Sequence, residues 1–162
     1  MILLPDASVL IDLGYVNGLA LLPALGPTEV LSTMLLECHH PQLATLMQDI
    51  LAVGIIEIEV DPQLADAAKE YPREDLSFKD RQALLYARDQ GRILLSNDRP
   101  VREAAREERM QVHSAIWLIQ EAHRLGLYPT HELYRWLCMW PLVRRRLPAH
   151  ELRRLKALLG CP

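Results

Sequence analysis

Four acids in this sequence interrupt apolar surroundings, and that combination is what metal chemistry needs. Asp6 follows the apolar run Ile2-Leu3-Leu4 and Pro5, and Asp98 follows Ile93-Leu94-Leu95 after Ser96-Asn97. Asp80 opens a helical stretch whose same-face neighbours are Ala83, Leu84 and Ala87, which places a carboxylate on an inward stripe. Glu37 has a similar setting near Val30, Met34 and Leu36. Burying one carboxylate is costly, and gathering several is costlier. A dication resolves the conflict, and Mg²⁺ or Mn²⁺ prefers an all-oxygen site of this kind. Such ions activate water and stabilise charge on a phosphodiester. Each acid also has a structural alternative. Asp6 and Asp98 can cap the helices that follow, with Pro100 in the first turn of the second one. Ser77-Phe78-Lys79-Asp80 resembles a capping box, and Glu37 can pair with a distant arginine.

The elements that must position these acids follow from the apolar pattern. Ile2-Leu3-Leu4, Glu29 to Ser32, Ile55 to Val60, Ile93 to Leu95 and Gln111 to His113 read as short strands. Helices are expected over Val9 to Leu22 with a break near Gly14 to Gly18, Met34 to His39, and Pro41 to about Val53. Others follow near 62–71, 77–90 and 99–109, then at 114–125, 130–140 and 148–159. Strands separated by helices imply parallel pairing with right-handed crossovers. Continuously apolar strands imply a sheet covered on both faces. The fold class is α/β, with helices on both sides of a central parallel sheet. In such sheets chemistry collects beyond the carboxyl ends of the strands, where Asp6 and Asp98 fall.

Composition sets the remaining bounds. The chain has 162 residues, half of them hydrophobic and 24% charged, which suits an ordered domain with a real core. No apolar run approaches the roughly 18 residues of a membrane helix, and the first residues lack a basic region and cleavage site, so no membrane span and a cytoplasmic location are expected. Cys38, Cys138 and Cys161 are odd in number and lack metal-like spacing, and read as reduced thiols. The net charge of −3 hides an asymmetry. Residues 1–70 carry one base, Lys69, against ten acids, whereas the remainder carries 17 of the 18 bases against 11 acids. Arg144, Arg145 and Arg146, with Arg153, Arg154 and Lys156, form a basic C-terminal surface that could hold RNA phosphates, or simply a solvated helix face.

These residues and spacings resemble the PIN domain family. Leu3-Leu4-Pro5-Asp6-Ala7-Ser8-Val9-Leu10-Ile11 is similar to the opening strand with its first metal-binding acid. Leu31-Ser32-Thr33-Met34-Leu35-Leu36-Glu37 is similar to the segment of the second acid. Phe78-Lys79-Asp80-Arg81-Gln82-Ala83-Leu84-Leu85-Tyr86-Ala87 carries the third acidic position, and Ile93-Leu94-Leu95-Ser96-Asn97-Asp98-Arg99 the fourth. The resemblance covers roughly residues 1–125 and leaves 126–162 as a C-terminal helical extension packed on the same domain. It implies a three-layer α/β/α fold, a Mg²⁺ or Mn²⁺ cofactor and ribonuclease activity directed at single strands. It further implies that Asp6, Glu37, Asp80 and Asp98 are the catalytic, metal-holding residues, with Glu37 holding metal or positioning water through it. Ser8 and Ser96 would orient the carboxylates. Asn97 would contact phosphate or a carboxylate, or would serve as a turn residue. Many small relatives are toxins of toxin–antitoxin pairs, so the implied partners are RNA, a small antitoxin protein and a second copy of the chain. A non-catalytic module that binds RNA or docks a partner is the competing reading.

Other features carry less. Cys38-His39-His40 are adjacent, share no helix face and have no complementary pair at zinc spacing. Trp136 and Trp140 lie four apart on one face with Leu133, which suits core or dimer packing better than base stacking. There is no Gly-rich phosphate loop. A phosphohydrolase acting on small molecules ranks last, because Asp6-Ala7-Ser8 lacks a second Asp two residues on.

Overall fold

Residues 1–143 and 148–160 are described by a computed structural model. In chain order its elements are β1 (Leu3–Pro5), α1 (Ala7–Tyr15), α2 (Leu21–Leu25), β2 (Glu29–Leu31), α3 (Ser32–Glu37), α4 (Leu46–Ala52) and β3 (Ile56–Ile58). They continue with α5 (Pro62–Glu70), α6 (Phe78–Gln90), β4 (Ile93–Leu95), α7 (Arg99–Glu107), β5 (Val112–His113), α8 (Ala115–Arg124), α9 (Thr130–Leu142) and α10 (Ala149–Leu158).

All strand pairs are parallel. β1 pairs with β4 in the register Leu3 to Ile93, β4 with β5, and β2 with β3. A parallel bridge between Leu3 and Thr28, with the Leu3 N–H donating to the Pro27 carbonyl at 2.9 Å, joins the two sets in the order β3-β2-β1-β4-β5. The strand order therefore reverses between β1 and β4. A crevice opens beyond the carboxyl ends of strands at such a reversal. The chain is an α/β fold of the expected three-layer kind.

Every residue of β1 and β4 is buried, so both faces of the sheet centre are covered. The expectation of full cover fails for β3. Ile56 is 58% exposed, because this edge strand has one neighbour only. At the amino edge Glu29 accepts hydrogen bonds from Tyr86 and from two nitrogens of Arg92, so a carboxylate there is neutralised by an arginine. At the opposite edge carboxylates meet one another.

α9 lies against α1 and α8 and carries two fully buried indoles, Trp136 and Trp140. The Trp140 Nε1–H donates to the Asp12 carbonyl at 2.9 Å. Trp136 faces Gly18, where an added Cβ would stand 2.8 Å from the ring. The two tryptophans are core residues, as their spacing suggests. Arg144, Arg145, Arg146 and Cys161 lie outside the described residues. Among the described residues no helix is long and apolar enough to cross a membrane.

Candidate metal centre

Acids gather beyond the carboxyl ends of β1 and β4 for a reason of topology. In a parallel sheet each crossover helix runs back against the strands, so helix N-termini gather at the carboxyl edge, where their dipoles favour negative charge. Asp6 is the N-cap of α1, Asp98 the N-cap of α7, and Asp80 sits in the first turn of α6. One carboxylate oxygen from each of Asp6, Asp80 and Asp98 lies within 4.8 Å of the other two. Three residues 74 and 18 positions apart along the chain thus present one oxygen face.

Asp6 is the buried member, only 2% exposed. Its Oδ1 accepts from the Ser8 hydroxyl at 2.6 Å and from the Val9 N–H at 3.0 Å, so it caps α1 and joins the cluster at once. Burial pushes its carboxyl up to about 7; the hydroxyls of Ser8 and Ser96 and the Val9 N–H oppose that, and the charge of Asp98 adds to it. Ser96, fully buried, also accepts the Asp98 N–H at 3.1 Å, and so links two of the three acids. Asp98 holds its N-cap position without a side-chain capping bond.

Asp80, half-buried, closes a true capping box. Its N–H donates to Ser77 Oγ at 3.1 Å, and its Oδ2 accepts from the Ser77 N–H at 3.2 Å and hydroxyl at 2.6 Å. Gln82, two residues on, is buried and accepts from Thr33 at 2.8 Å, which ties α6 to α3.

Glu37 stands outside the three-acid cluster. It pairs with Lys79 at 3.3 Å, and both side chains are over one-third exposed. Helical phase explains the difference from its expected inward setting. In α3 and the residue after it, Met34, Leu35 and Cys38 face the core, whereas Leu36, 64% exposed, and Glu37 face out. Asn97 contacts a carboxylate, that of Asp12. It is also the loop's fixing point: its N–H donates to Ser8 Oγ at 3.1 Å, its Nδ2 to Asp12 Oδ2 at 2.6 Å, and its Oδ1 accepts the Ala115 N–H at 2.9 Å.

Asp12, 2% exposed, escaped the sequence reading. The signal was present: one acid within Ser8-Val9-Leu10-Ile11-Asp12-Leu13, an otherwise apolar stretch, as with Asp80. Arg102 escaped as well, and its Nη1 donates to the Asn97 and Ser96 carbonyls and pins α7 to the same loop.

The donor set fits a hard divalent cation. It is all oxygen, it comes from three separate elements, and its buried member carries a charge cost that a cation would cancel. Asp6, Asp80 and Asp98 are the residues that would hold it.

No curated protein matches the chain. Among solved structures, that of PAE2754 from Pyrobaculum aerophilum superposes with a TM-score of 0.54 at 18% identity, over 74% of this chain and 88% of that one. At that identity the likeness concerns the fold. The model of a family described as PIN domain matches residues 2–134, a span that contains β1 through β5 and all three clustered acids. With most of its length inside that match and its acids at the sheet's reversal point, the chain belongs to the PIN domain family, whose fold is of a nuclease type.

Proposed function

We propose that this protein is a Mg²⁺- or Mn²⁺-dependent endoribonuclease that hydrolyses phosphodiester bonds in single-stranded RNA. One observation carries the reading: the convergence of Asp6, Asp80 and Asp98 oxygens within 4.8 Å at the carboxyl ends of β1 and β4. The cation would supply charge stabilisation on the phosphodiester and an activated water. The chain's own residues do the positioning. Ser8 and Ser96 hold the Asp6 carboxylate in place, Asn97 fixes the loop that presents Asp98, and the α6 capping box sets Asp80. Glu37, on the rim beside Lys79, takes the outer role of orienting water. The family's toxin members support a small antitoxin protein as the partner that restrains such an activity, a cytoplasmic setting and a homodimer. The dimer would elute at twice 18.5 kDa by light scattering.

The test is cleavage of single-stranded RNA with Mg²⁺ or Mn²⁺ by wild type, Asp6→Asn, Asp98→Asn and Glu37→Gln. The aspartate variants should lose at least roughly a hundredfold, as expected when a group that orders the reacting charge is removed, and Glu37→Gln should lose less. Equal cleavage by wild type and both aspartate variants rejects the mechanism.

A second reading has an observation of its own. Asp80 Oδ2 is engaged by Ser77, and Glu37 by Lys79, which is how a non-catalytic member that keeps the fold would satisfy its acids. Calorimetry separates the two. Heat from Mn²⁺ binding that disappears in Asp98→Asn favours the nuclease, and RNA binding without Mn²⁺ binding favours the module.

A further inference from the structure

A second cleft, of about 430 Å³, begins at Asn97, the residue before Asp98, and runs between α7 and α8. One wall is the basic face of α7. Arg99, Arg102 and Arg106 recur at i, i+3 and i+7 and all line the cleft. Another part of the lining is aromatic: His113 of β5 and Trp117 of α8 stack with ring centres 4.1 Å apart and planes 9° from parallel. Both rings are half-buried, unlike the sealed Trp136 and Trp140. Among the described residues the one acid lining the cleft is Glu151 of α10, so arginines outnumber carboxylates three to one. Arg99 is paired with Glu103 at 2.6 Å, but it is 83% exposed, and a pair so open to water exchanges readily for a phosphate. Burial lowers the His113 pKa and favours the neutral ring, which suits stacking against an uncharged base.

We propose that this cleft seats the nucleotides flanking the scissile phosphate of a single-stranded RNA, with Arg99, Arg102 and Arg106 along the phosphates and the His113–Trp117 pair beneath a base. The inference rests on the ribonuclease reading and names where its substrate lies. Single strands are held in this way elsewhere, by a basic track that follows the backbone and by aromatic rings that accept any base. The position fits, because the cleft is lined by Asn97 and Arg99, the residues on either side of Asp98 in the chain.

The experiment is fluorescence anisotropy of a short fluorescein-labelled single-stranded RNA across a salt series, in EDTA so that nothing is cut, with the full chain. Arg106 is exposed, and Arg106→Ala leaves the core untouched. It should flatten the slope of log affinity against log salt by about 0.7, one phosphate contact on a single strand. Trp117→Ala should weaken binding about tenfold, with Trp117→Phe restoring most of it. Glu151→Gln should tighten it. RNA that binds Arg106→Ala and Trp117→Ala as it binds wild type, or no binding by wild type, overturns the proposal; if Trp117→Ala does not fold, the Arg106 slope decides. Failure here is distinguishable from failure of the ribonuclease reading. Metal-dependent cleavage with unchanged KM in Arg106→Ala sinks the cleft alone, whereas binding through the cleft by a wild type that cuts no RNA sinks the nuclease alone.

Discussion

Asn97 and Asp12, 85 residues apart, are joined by a hydrogen bond of 2.6 Å from the amide Nδ2 to the carboxylate Oδ2. The bond couples the loop that presents Asp98 to the middle of α1, the helix capped by Asp6. A buried carboxylate gains from such a donor and is costly to leave without it.

Asn97→Asp should therefore destabilise the protein by about 2 kcal/mol, the cost of replacing the half-buried donor of a buried carboxylate by an acceptor. Urea midpoints of wild type and variant check this, and an unchanged midpoint counts against the pairing as described.

Asp6 makes the metal-free protein sensitive to pH in a defined direction. Its carboxyl titrates near 7 in the folded chain against an ordinary value of 3.8. Between those values the folded state keeps a proton that the unfolded state releases, so this group's stabilising contribution is complete below 3.8 and is lost as pH rises through 7. In EDTA the wild type should be less stable at pH 8 than at pH 5, by an amount on the order of a few kcal/mol. Asp6→Asn should flatten that dependence, since the amide keeps an oxygen for Ser8 and Val9 but cannot ionise. Mn²⁺ should restore the wild type at pH 8 and leave the variant unchanged. Parallel pH profiles for the two proteins would contradict the assignment.

Gly18 meets an aromatic wall. A methyl group there would stand 2.8 Å from Trp136 Cη2, a rigid ring atom inside the core. Gly18→Ala should cost about 1–3 kcal/mol, the range for overpacking, and shorten the native-state lifetime accordingly. Gly14→Ala is the control, because its nearest atom is the end of the Leu46 side chain, which can rotate away. A thermal midpoint lower for Gly14→Ala than for Gly18→Ala would reverse the expected order.

The sheet centre was legible because β1 and β4 are apolar at every position, a pattern that only a strand covered on both faces tolerates. Asp6 and Asp98 were legible for the same reason, since each is the first acid after such a run. The segment between β2 and β3 was not. A helix from Pro41 to Val53 was expected, but the chain forms a bridge between His40 and Leu43 and turns helical only at Leu46. Tyr15 explains part of this. Its hydroxyl bonds Gln42 at 3.0 Å and contacts His40 at 3.3 Å, and no local pattern announces those long-range contacts. Glu37 was misread by phase: six residues are too few for periodicity to say which side of α3 faces in. The capping box at Ser77 and the metal role of Asp80 were posed as alternatives. The geometry shows that one carboxylate can do the first and still stand within reach of the second.

Trp140 lies beyond residue 134, where the family match stops, yet its indole holds the carbonyl of Asp12, whose carboxylate in turn holds Asn97. The final helices thus act as a backstop for the acid-bearing loop, and trimming the chain to the shared span would loosen the site from behind without removing any acid from it.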